Sequence, residues 1–196
     1  MPLANALDRR AAVAALLKDR DGTVVVSGLG NATYDVAAAG DDARNVYLWG
    51  AMGGTAMMGL GLALARPDVP VVVMTGDGDM LMGLGSFATI ALQAPANLSI
   101  VVLDNGLFGE TGAQETHTAH GTDLAAVAAA CGIPETTTVI ADDGLAALAG
   151  RLHGTTGGPR VAVVKVAPSD KPRAMALRDA AHGRARTRLA LGLPAE

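Results

Sequence analysis

The sequence predicts a doubly wound α/β domain, in which a mainly parallel six-stranded sheet carries helices on both faces. Strand-like runs rich in Val, Ile and Leu alternate with helix-like segments. Strands that are apolar on both faces are typical of a sheet covered on both sides, and a helix between successive strands implies parallel crossovers. Half of the 196 residues are hydrophobic and only 3% are aromatic, so small aliphatic side chains must build the core.

Each element has a local signal in the sequence. The strands are β-branched runs, and most helices have Asp or Thr near their start, where these residues cap free N–H groups. The predicted strands are Thr23–Ser27, Val46–Trp49, Pro70–Thr75, Leu98–Leu103, Thr137–Ile140 and Arg160–Val166. The predicted helices are Asp8–Lys18, Thr55–Ala65, Met80–Gln93, Asp123–Cys131 and Asp142–His153. Ligands of such sheets bind beyond the carboxyl ends of the strands, so the loops that follow them are the first places to search.

Composition excludes several function classes. A formal net charge of −4 gives no general attraction to nucleic acid or anionic lipid, which need a dense basic surface. The longest weakly polar run, Ala51–Ala65, is shorter than the ~20 residues of a membrane-spanning helix. The first ten residues have no secretory pattern, and the single Cys131 excludes an internal disulfide. We therefore expect a cytoplasmic protein without a membrane span, with Cys131 as a small packed residue.

One compositional change divides the chain. Residues 171–196 contain six Lys or Arg and two acidic residues, whereas the whole chain is acidic. We predict an α/β domain over residues 1–170 and a basic helical tail over residues 171–196. The tail is either a helix that folds back over its own domain or an arm that docks on a partner chain.

The first glycine-rich loop, Gly28-Leu29-Gly30-Asn31-Ala32-Thr33, follows a predicted strand. It resembles a dinucleotide-binding fingerprint, but Thr33 replaces the third Gly or Ala, and the acidic residue expected about twenty positions later is missing. Nicotinamide or flavin binding is therefore a weak alternative. Gly28 and Gly30 still allow bare backbone N–H groups to approach a phosphate closely.

The second loop carries a stronger signal. Gly76-Asp77-Gly78 directly follows a buried strand, and after 26 more residues Asn105 follows the next strand. An Asp and an Asn at adjacent strand ends favour one hard cation, and oxygen ligands suit Mg²⁺ or Ca²⁺. The free N–H groups of a following helix favour an anion such as a diphosphate. The pattern therefore predicts a metal-bridged diphosphate.

These residues resemble the thiamine diphosphate motif of thiamine-dependent decarboxylases and carboligases. The segments VYLWGAMGGTAMMGLGLALARP, GDGDMLMGLGSFATIALQAPANLSIVVLDNG and TGAQETH are similar to the cofactor-binding half of phosphonopyruvate and sulfopyruvate decarboxylases, over about residues 20–140. The resemblance implies thiamine diphosphate and Mg²⁺ as cofactors. It further implies a thiamine diphosphate-binding fold for the domain.

The resemblance also assigns roles to residues. Asp77 and Asn105 would ligate Mg²⁺ by their side chains and Leu107 by its carbonyl. The Gly50 carbonyl would accept a hydrogen bond from the aminopyrimidine, and Met52 would support the bend of the cofactor. The full set expected to contact the cofactor is Gly30, Asn31, Gly50, Ala51, Met52, Gly76, Asp77, Gly78, Asp79, Asn105, Leu107, Phe108 and Gly109.

Two positions depart from the family pattern. Asp79 replaces a small hydroxyl residue near the phosphates, and we interpret it as a helix cap that turns away from them. Glu110 replaces a Ser close to the reacting carbon, which leaves the substrate open. Residues 110–120 lack periodicity and are predicted to be a long loop of the kind that forms lids. The catalytic candidates are Met52, Glu110, Gln114 and His117, with His120 as a further loop histidine.

The resemblance implies that this chain is half of an active site. Thiamine enzymes need a glutamate at the pyrimidine ring, and in the family it comes from a separate pyrimidine-binding domain. We therefore expect a partner subunit that supplies this glutamate in an α2β2 or larger assembly. The implied reaction is attack of the C2 ylid on a small 2-oxo acid, with loss of CO₂ to an enamine.

Two alternatives stay open at this stage. In a carboligase of the acetolactate synthase type, a second carbonyl captures the enamine in place of a proton. A non-catalytic thiamine-binding subunit would bind the cofactor and release no CO₂. The sequence does not identify the 2-oxo acid, because the partner and the loop after Asn105 would contact its far end.

Overall fold

The computed structural model of the chain describes residues 6–196. Half of the ten-residue N-terminal segment that was searched for a secretory pattern lies outside these residues. The six strands of the main sheet agree with the predicted ones within a few residues at each end, which is the usual uncertainty of element boundaries, whereas the two short strands Leu107–Phe108 and Gln114–Glu115 were not predicted. In chain order the strands are β1 Val24–Ser27, β2 Asn45–Tyr47, β3 Val71–Gly76, β4 Leu98–Asp104, β5 Leu107–Phe108, β6 Gln114–Glu115, β7 Glu135–Val139 and β8 Arg160–Lys165.

The helices alternate with these strands. Asp8 and Asp123 cap the helices that follow them, because each carboxylate accepts hydrogen bonds from first-turn N–H groups. The helices are α1 Arg9–Leu16, α2 Asn31–Ala38, α3 Thr55–Ala65, α4 Asp77–Met82, α5 Ser86–Gln93, α6 Leu124–Ala130, α7 Asp142–Leu152 and α8 Ala180–Ala190, with a 3₁₀ turn at His117–His120.

The six long strands form one parallel sheet in the order β2-β1-β3-β4-β8-β7. Its two faces are covered by different helices. Val24, Val26 and Val73 belong to a core shared with α3, α5 and α6, whereas Val25 and Val72 belong to a core shared with α1, α2 and α7. Successive strand residues point to opposite faces, so both faces are apolar. The predicted doubly wound fold is confirmed.

Close packing against the sheet explains one glycine of α3. A Cβ on Gly59 would lie 2.2 Å from Cγ2 of Val73, so only glycine fits where α3 crosses β3. The close contact holds α3, and the turn that precedes it, tightly against the centre of the sheet. That turn, Trp49–Gly53, reaches the carboxyl edge of the sheet.

Three sequence predictions need correction here. Helix α2 was not predicted, because its buried face includes Thr33 and Asp35 and shows no apolar stripe. The predicted helix Met80–Gln93 is two helices, since Gly83 and Gly85 interrupt it, and the first helix begins at Asp77. Residues 110–120 are not an irregular loop throughout, because β5 and β6 pair as an antiparallel hairpin and the 3₁₀ turn follows.

The tail folds back over its own domain in this structure. Residues 171–179 are not helical, and α8 packs against the edge strand β2. Arg186 pairs with Asp41 at 2.6 Å, and the Thr187 hydroxyl donates to the carbonyl of Ala43 at 2.8 Å. The contact between α8 and β2 is called the tail seam below. It covers the exposed edge of the sheet, which would otherwise be open to pairing with another strand.

A search for membrane-spanning segments covered the described part of the chain. It contains no helix with the length and apolar character that crossing a membrane requires.

Candidate functional site

A cavity lies at the carboxyl edge of the sheet, where the strand order reverses. The chain leaves β1 toward β2 on one side and later returns to β3 on the other, so β1 and β3 flank a crevice of the kind that binds ligands in doubly wound folds. The residues that line this cavity are Arg9, Leu29, Gly30, Asn31, Ala32, Met52, Gly76, Asp77, Gly78, Asp79, Leu103, Asn105, Leu107, Phe108, Gly109, Glu110, Thr111 and Val166.

Two helices begin in the wall of the cavity. Gly30 precedes α2 and Gly76 precedes α4, and no side chain of the described residues caps the first N–H groups of either helix. Gly30 has a φ of 66°, a left-handed conformation that favours glycine. Uncapped N–H groups at a helix start favour an anion. Both starts are therefore suited to a phosphate in the cavity.

Asp77 is the more deeply buried of two buried carboxylates in this cavity wall, with 2% of its surface exposed against 7% for Asp79. The Thr116 hydroxyl donates to its Oδ2 at 2.6 Å and the Thr118 hydroxyl lies 3.2 Å from the same atom. Burial raises the pKa of Asp77, and the nearby Asp104 carboxylate adds to this effect. Among residues 6–196, no cation pairs with Asp77. A divalent cation would supply the missing positive charge.

Asn105 lines the same cavity as Asp77, so the two strand-end residues do not point into separate regions. Oδ1 of Asn105 accepts a hydrogen bond from the Leu107 N–H at 3.0 Å, which holds the amide at the start of the β5–β6 hairpin. The part of the chain described has no cluster of three or more His, Cys, Asp or Glu suited to a metal. One carboxylate, one amide and one carbonyl form a different donor set, which Mg²⁺ accepts together with waters and phosphates.

The hairpin is fixed against α4 by an aromatic ring. A Cβ on Gly78 would lie 2.6 Å from the ring of Phe108, so this ring packs directly on the backbone of the first α4 turn. The glycines of the Gly76-Asp77-Gly78 segment thus leave room both for the ring and for a ligand. Gly109 lies in the cavity wall directly after Phe108.

Asp79 is not the helix cap that the sequence suggested. It lies inside α4, and its carboxylate accepts hydrogen bonds from the Gly53 N–H at 2.5 Å, the Thr55 hydroxyl at 2.6 Å and the Thr75 hydroxyl at 2.5 Å. A Cβ on Gly28 would lie 2.5 Å from the same carboxylate. Asp79 therefore ties α4 to the Trp49–Gly53 turn and to β3. It is also one of the residues that line the cavity.

The Trp49–Gly53 turn contributes only part of its predicted contacts. Met52 lines the cavity and is 36% exposed, whereas Gly50 and Ala51 are exposed and do not line it. Ala51 and Gly53 both have positive φ angles, which shape the turn. A Cβ on Gly83 would lie 2.2 Å from the carbonyl oxygen of Gly53, so the backbone of this turn touches the end of α4 directly.

The catalytic candidates on the hairpin divide into two groups. Glu110 lies in the cavity over Gly30, and its carboxylate faces Arg173 of the tail segment at 3.4 Å. Gln114 and His117 are exposed and lie outside the cavity wall. His120 is also exposed and pairs with Glu115. The structure thus brings Met52 and Glu110 to the cavity and leaves Gln114 and His117 away from it, and the catalytic roles stay predictions.

Sequence reasoning missed Arg9 and the two threonines at Asp77. Arg9 occupies a position on the buried face of α1 with Ala12, Val13 and Leu16, a spacing of three, four and seven residues. A charged residue on an apolar helical stripe was the signal that could have identified it. Thr116 and Thr118 had no such signal, because the fold of the 3₁₀ turn brings them to Asp77.

Comparisons with known proteins identify the domain. A family model described as the thiamine pyrophosphate enzyme, C-terminal TPP binding domain, matches residues 28–166. The chain is 42% identical over 115 residues to the sulfopyruvate decarboxylase subunit beta of Methanocaldococcus jannaschii, covering 59% of this chain and 61% of that one. It is 44% identical over 145 residues to the phosphonopyruvate decarboxylase of Streptomyces hygroscopicus, covering 74% of this chain and 35% of that enzyme.

The fold agrees with a solved structure as well. Benzoylformate decarboxylase from Polynucleobacter necessarius superposes with a TM-score of 0.71 at 21% identity, over 85% of this chain and 34% of that one. The chain spans less than two thirds of the length of the two sequence relatives described above. The match over residues 28–166 includes the loop that follows β1, the ends of β3 and β4 and the whole hairpin. The chain therefore belongs to the thiamine pyrophosphate enzymes, and its cavity lies in their C-terminal TPP binding domain.

Proposed function

We propose that this chain is the diphosphate-binding subunit of a heteromeric, thiamine diphosphate-dependent enzyme that decarboxylates a small 2-oxo acid of the sulfopyruvate or phosphonopyruvate type. The observation that carries the proposal is the cavity between β1 and β3, which holds the buried Asp77 carboxylate, paired with no cation of residues 6–196, beside the first N–H groups of α2 and α4. The names of the relatives support the substrate class, since they act on sulfopyruvate or phosphonopyruvate.

Asp77, Asn105 and the Leu107 carbonyl would hold Mg²⁺. A divalent ion at Asp77 offsets the cost of burying this carboxylate, and it neutralises part of the charge of a diphosphate. The N–H groups after Gly30 and Gly76 would hold the remaining phosphate oxygens. The proposed metal ligands and the residues at both helix starts all line the same cavity.

Thiamine diphosphate, when bound, supplies the carbon nucleophile and electron sink that a 2-oxo acid needs to lose CO₂. This chain supplies position and shape. Met52 presents an adaptable apolar side chain in the cavity wall, suited to support a bent ligand. Phe108, packed on Gly78, keeps the hairpin against the metal loop and shields the phosphate end from water.

A partner subunit would complete the site. The archaeal relative is named a beta subunit, which supports a heteromeric organisation. Glu110 is the glutamate that lines the cavity in residues 6–196, but it lies on the hairpin next to the metal loop. The glutamate that would activate the pyrimidine therefore comes from the partner, in an α2β2 or larger complex.

The proposal is tested in two stages. Isothermal titration calorimetry of the chain should show thiamine diphosphate binding with Mg²⁺ and strongly reduced binding with EDTA. The chain with its partner, co-expressed from the neighbouring reading frame, should then release CO₂ from sulfopyruvate or phosphonopyruvate faster than from pyruvate. Cofactor binding without CO₂ release from any of these acids would contradict the proposal and would favour a non-catalytic binding subunit.

A further inference from the structure

Arg9 is a charged residue in the apolar layer between α1 and α2. Only 2% of its surface is exposed, and it is the largest side chain among the fully buried ones. A buried guanidinium has a high desolvation cost unless its N–H groups and its charge are satisfied. The cost of burying Arg9 therefore depends on what its N–H groups and its charge contact.

The known contacts satisfy only one end of the guanidinium. Nη1 of Arg9 donates to Oδ2 of Asp35 at 2.6 Å and to the carbonyl of Asn31 at 3.3 Å. Nε of Arg9 is buried and has no hydrogen-bond partner among the described residues. Nε of Arg160 and of Arg186 is also buried without a hydrogen-bond partner in this part of the chain, but of these three arginines only Arg9 lines the cavity. Because such atoms are rare in native structures, the one in the cavity wall points to a missing partner there.

The charge around Arg9 is also unbalanced. Arg10 donates through Nε to Oδ1 of the same Asp35 at 2.9 Å, so two guanidinium groups share one carboxylate. Both oxygens of Asp35 are thus used, and the cluster of three side chains keeps one positive charge. Asp35 is fully buried and Arg10 is partly exposed, so Arg9 is the guanidinium of the two that is shielded from solvent.

Arg9 lines the cavity beside the start of α2. The cavity wall contains Arg9 together with Gly30 and Asn31, where the first N–H groups of this eight-residue helix lack a side-chain cap. An uncapped helix start and a buried guanidinium both favour an anion, and a guanidinium suits a tetrahedral oxyanion with several acceptor oxygens. Two independent features of the wall therefore point to the same ligand chemistry.

We propose that Arg9 is a phosphate-binding residue that contacts the terminal phosphate of the cofactor diphosphate. The inference rests on the proposed function, because it places thiamine diphosphate in this cavity. Arg9 precedes the segment matched by the family model, residues 28–166, so the N-terminal helix adds a contact that this domain does not itself contain. Asn31 and Asp35 position the guanidinium on one side, and the phosphate satisfies its other side.

The test compares two ligands that differ in the terminal phosphate. Calorimetry with Mg²⁺ measures binding of thiamine diphosphate and thiamine monophosphate to the wild-type chain and to the Arg9→Gln variant. Loss of a charge-assisted contact should weaken thiamine diphosphate binding by about 10- to 100-fold, whereas thiamine monophosphate binding should change by less than about 3-fold. Equal losses for both ligands, or no loss for thiamine diphosphate, would overturn the inference.

Arg10→Gln is the matched control. It removes the other partner of Asp35 but leaves the cavity wall intact, since Arg10 lies outside it. Its affinity for thiamine diphosphate should stay within about 3-fold of wild type. An equally large loss in Arg10→Gln would show that Asp35 positioning, not a phosphate contact, explains the effect, and would overturn the inference.

Two further measurements keep the test decisive. Circular dichroism checks folding, and if Arg9→Gln does not fold, Arg9→Lys replaces it with an expected loss of about 3- to 10-fold, because Lys keeps the charge and lacks the planar donor set. Inorganic pyrophosphate serves as a second probe. Failure of both the wild-type chain and its co-expressed complex to bind thiamine diphosphate would overturn the proposed function, whereas pyrophosphate binding that is unchanged by Arg9→Gln would overturn the inference itself.

Discussion

At the tail seam Arg186 and Asp41 form an ion pair in contact with solvent, with about half of the Asp41 side chain exposed. At the cavity, Asp77 and Arg9 are each 2% exposed, and neither has a full set of partners among the described residues. Arg186 of the seam has a carboxylate of its own, whereas Asp77 pairs with no cation of residues 6–196 and Arg9 shares its carboxylate with Arg10. The two regions therefore differ in both burial and pairing, as expected if the cavity charges serve a ligand.

Asp77→Asn should produce the largest effect. The substitution keeps the shape of the side chain and an oxygen that accepts from Thr116, but removes the charge that a cation needs. Even residues that merely orient metal ligands cost about 10- to 100-fold in metal affinity when mutated, so we expect Mg²⁺-dependent thiamine diphosphate binding to weaken by at least about 100-fold in calorimetry. The urea midpoint should not fall, because a buried carboxylate with a raised pKa is removed.

Asp68→Asn is the control for this loss, since Asp68 forms an exposed pair with Arg66 and lies far from the cavity wall. It should bind thiamine diphosphate like the wild type. If Asp77→Asn retained Mg²⁺-dependent binding, the buried charge of Asp77 would not serve a metal ion. The contrast drawn between the cavity and the tail seam would then be wrong.

Asp79→Asn should affect stability more than binding, although it lies two residues from Asp77. Asp79 accepts from three donors of the protein, and its amide analogue presents N–H groups to some of them. We expect a loss of about 2 kcal/mol in the free energy of unfolding, measured by urea denaturation at neutral pH. If Asp79→Asn kept its stability but lost cofactor binding, Asp79 would contact the cofactor and would not serve mainly to hold the fold.

Glu110→Gln should tighten cofactor binding slightly. Glu110 is a partly exposed carboxylate in a cavity that otherwise favours anions, and Arg173 pairs with it only at 3.4 Å. Removing the negative charge should strengthen binding of thiamine diphosphate by about 3-fold at low salt, with a smaller difference at high salt. Arg173→Gln should act in the opposite direction. Weaker binding in Glu110→Gln would indicate that Glu110 itself holds the cofactor.

The tail seam should show the smallest effect and a simple pH dependence. The hydrogen bond from Arg186 holds the pKa of Asp41 below its usual value. The pair therefore stabilises the fold above pH 4, and this contribution is lost as the pH falls through the lowered pKa. Asp41→Asn should cost about 0.5 kcal/mol at pH 7, because the pair is exposed, and nothing well below the lowered pKa. Thermal unfolding at both pH values measures it, and an equal cost at both would exclude the ion pair as its cause.

The sheet and the metal motif were readable from the sequence because both depend on local signals. The β-branched strands predicted six parallel strands, and Asp77 and Asn105 were placed at one sheet edge from their positions after two strands. Helix α2 was missed because hydrogen bonds and ion pairs, in place of an apolar stripe, hold its buried face. Thr33 donates to the Gly28 carbonyl, and Asp35 pairs with two arginines of α1, so its buried polar face has no apolar pattern.

The same reason explains the misplaced details of the site. Asp79 was interpreted as a cap because an Asp near a helix start often is one, but its three donors come from segments up to 26 residues away in the chain. The break between α4 and α5 was a local signal that was overlooked, since Gly83 and Gly85 both disfavour a continuous helix. Gln114 and His117 are exposed and lie outside the cavity wall, so their roles stay predictions.

The backbone contact between Gly53 and Gly83 has a mechanical consequence. No side chain fits at the contact between Gly53 and Gly83, and Asp79 ties the same turn to α4. The turn that carries Met52 and the helix that carries Asp77 therefore form one rigid support. The distance between the turn and the helix is thus set by backbone contacts, and a ligand that spans both has to fit it.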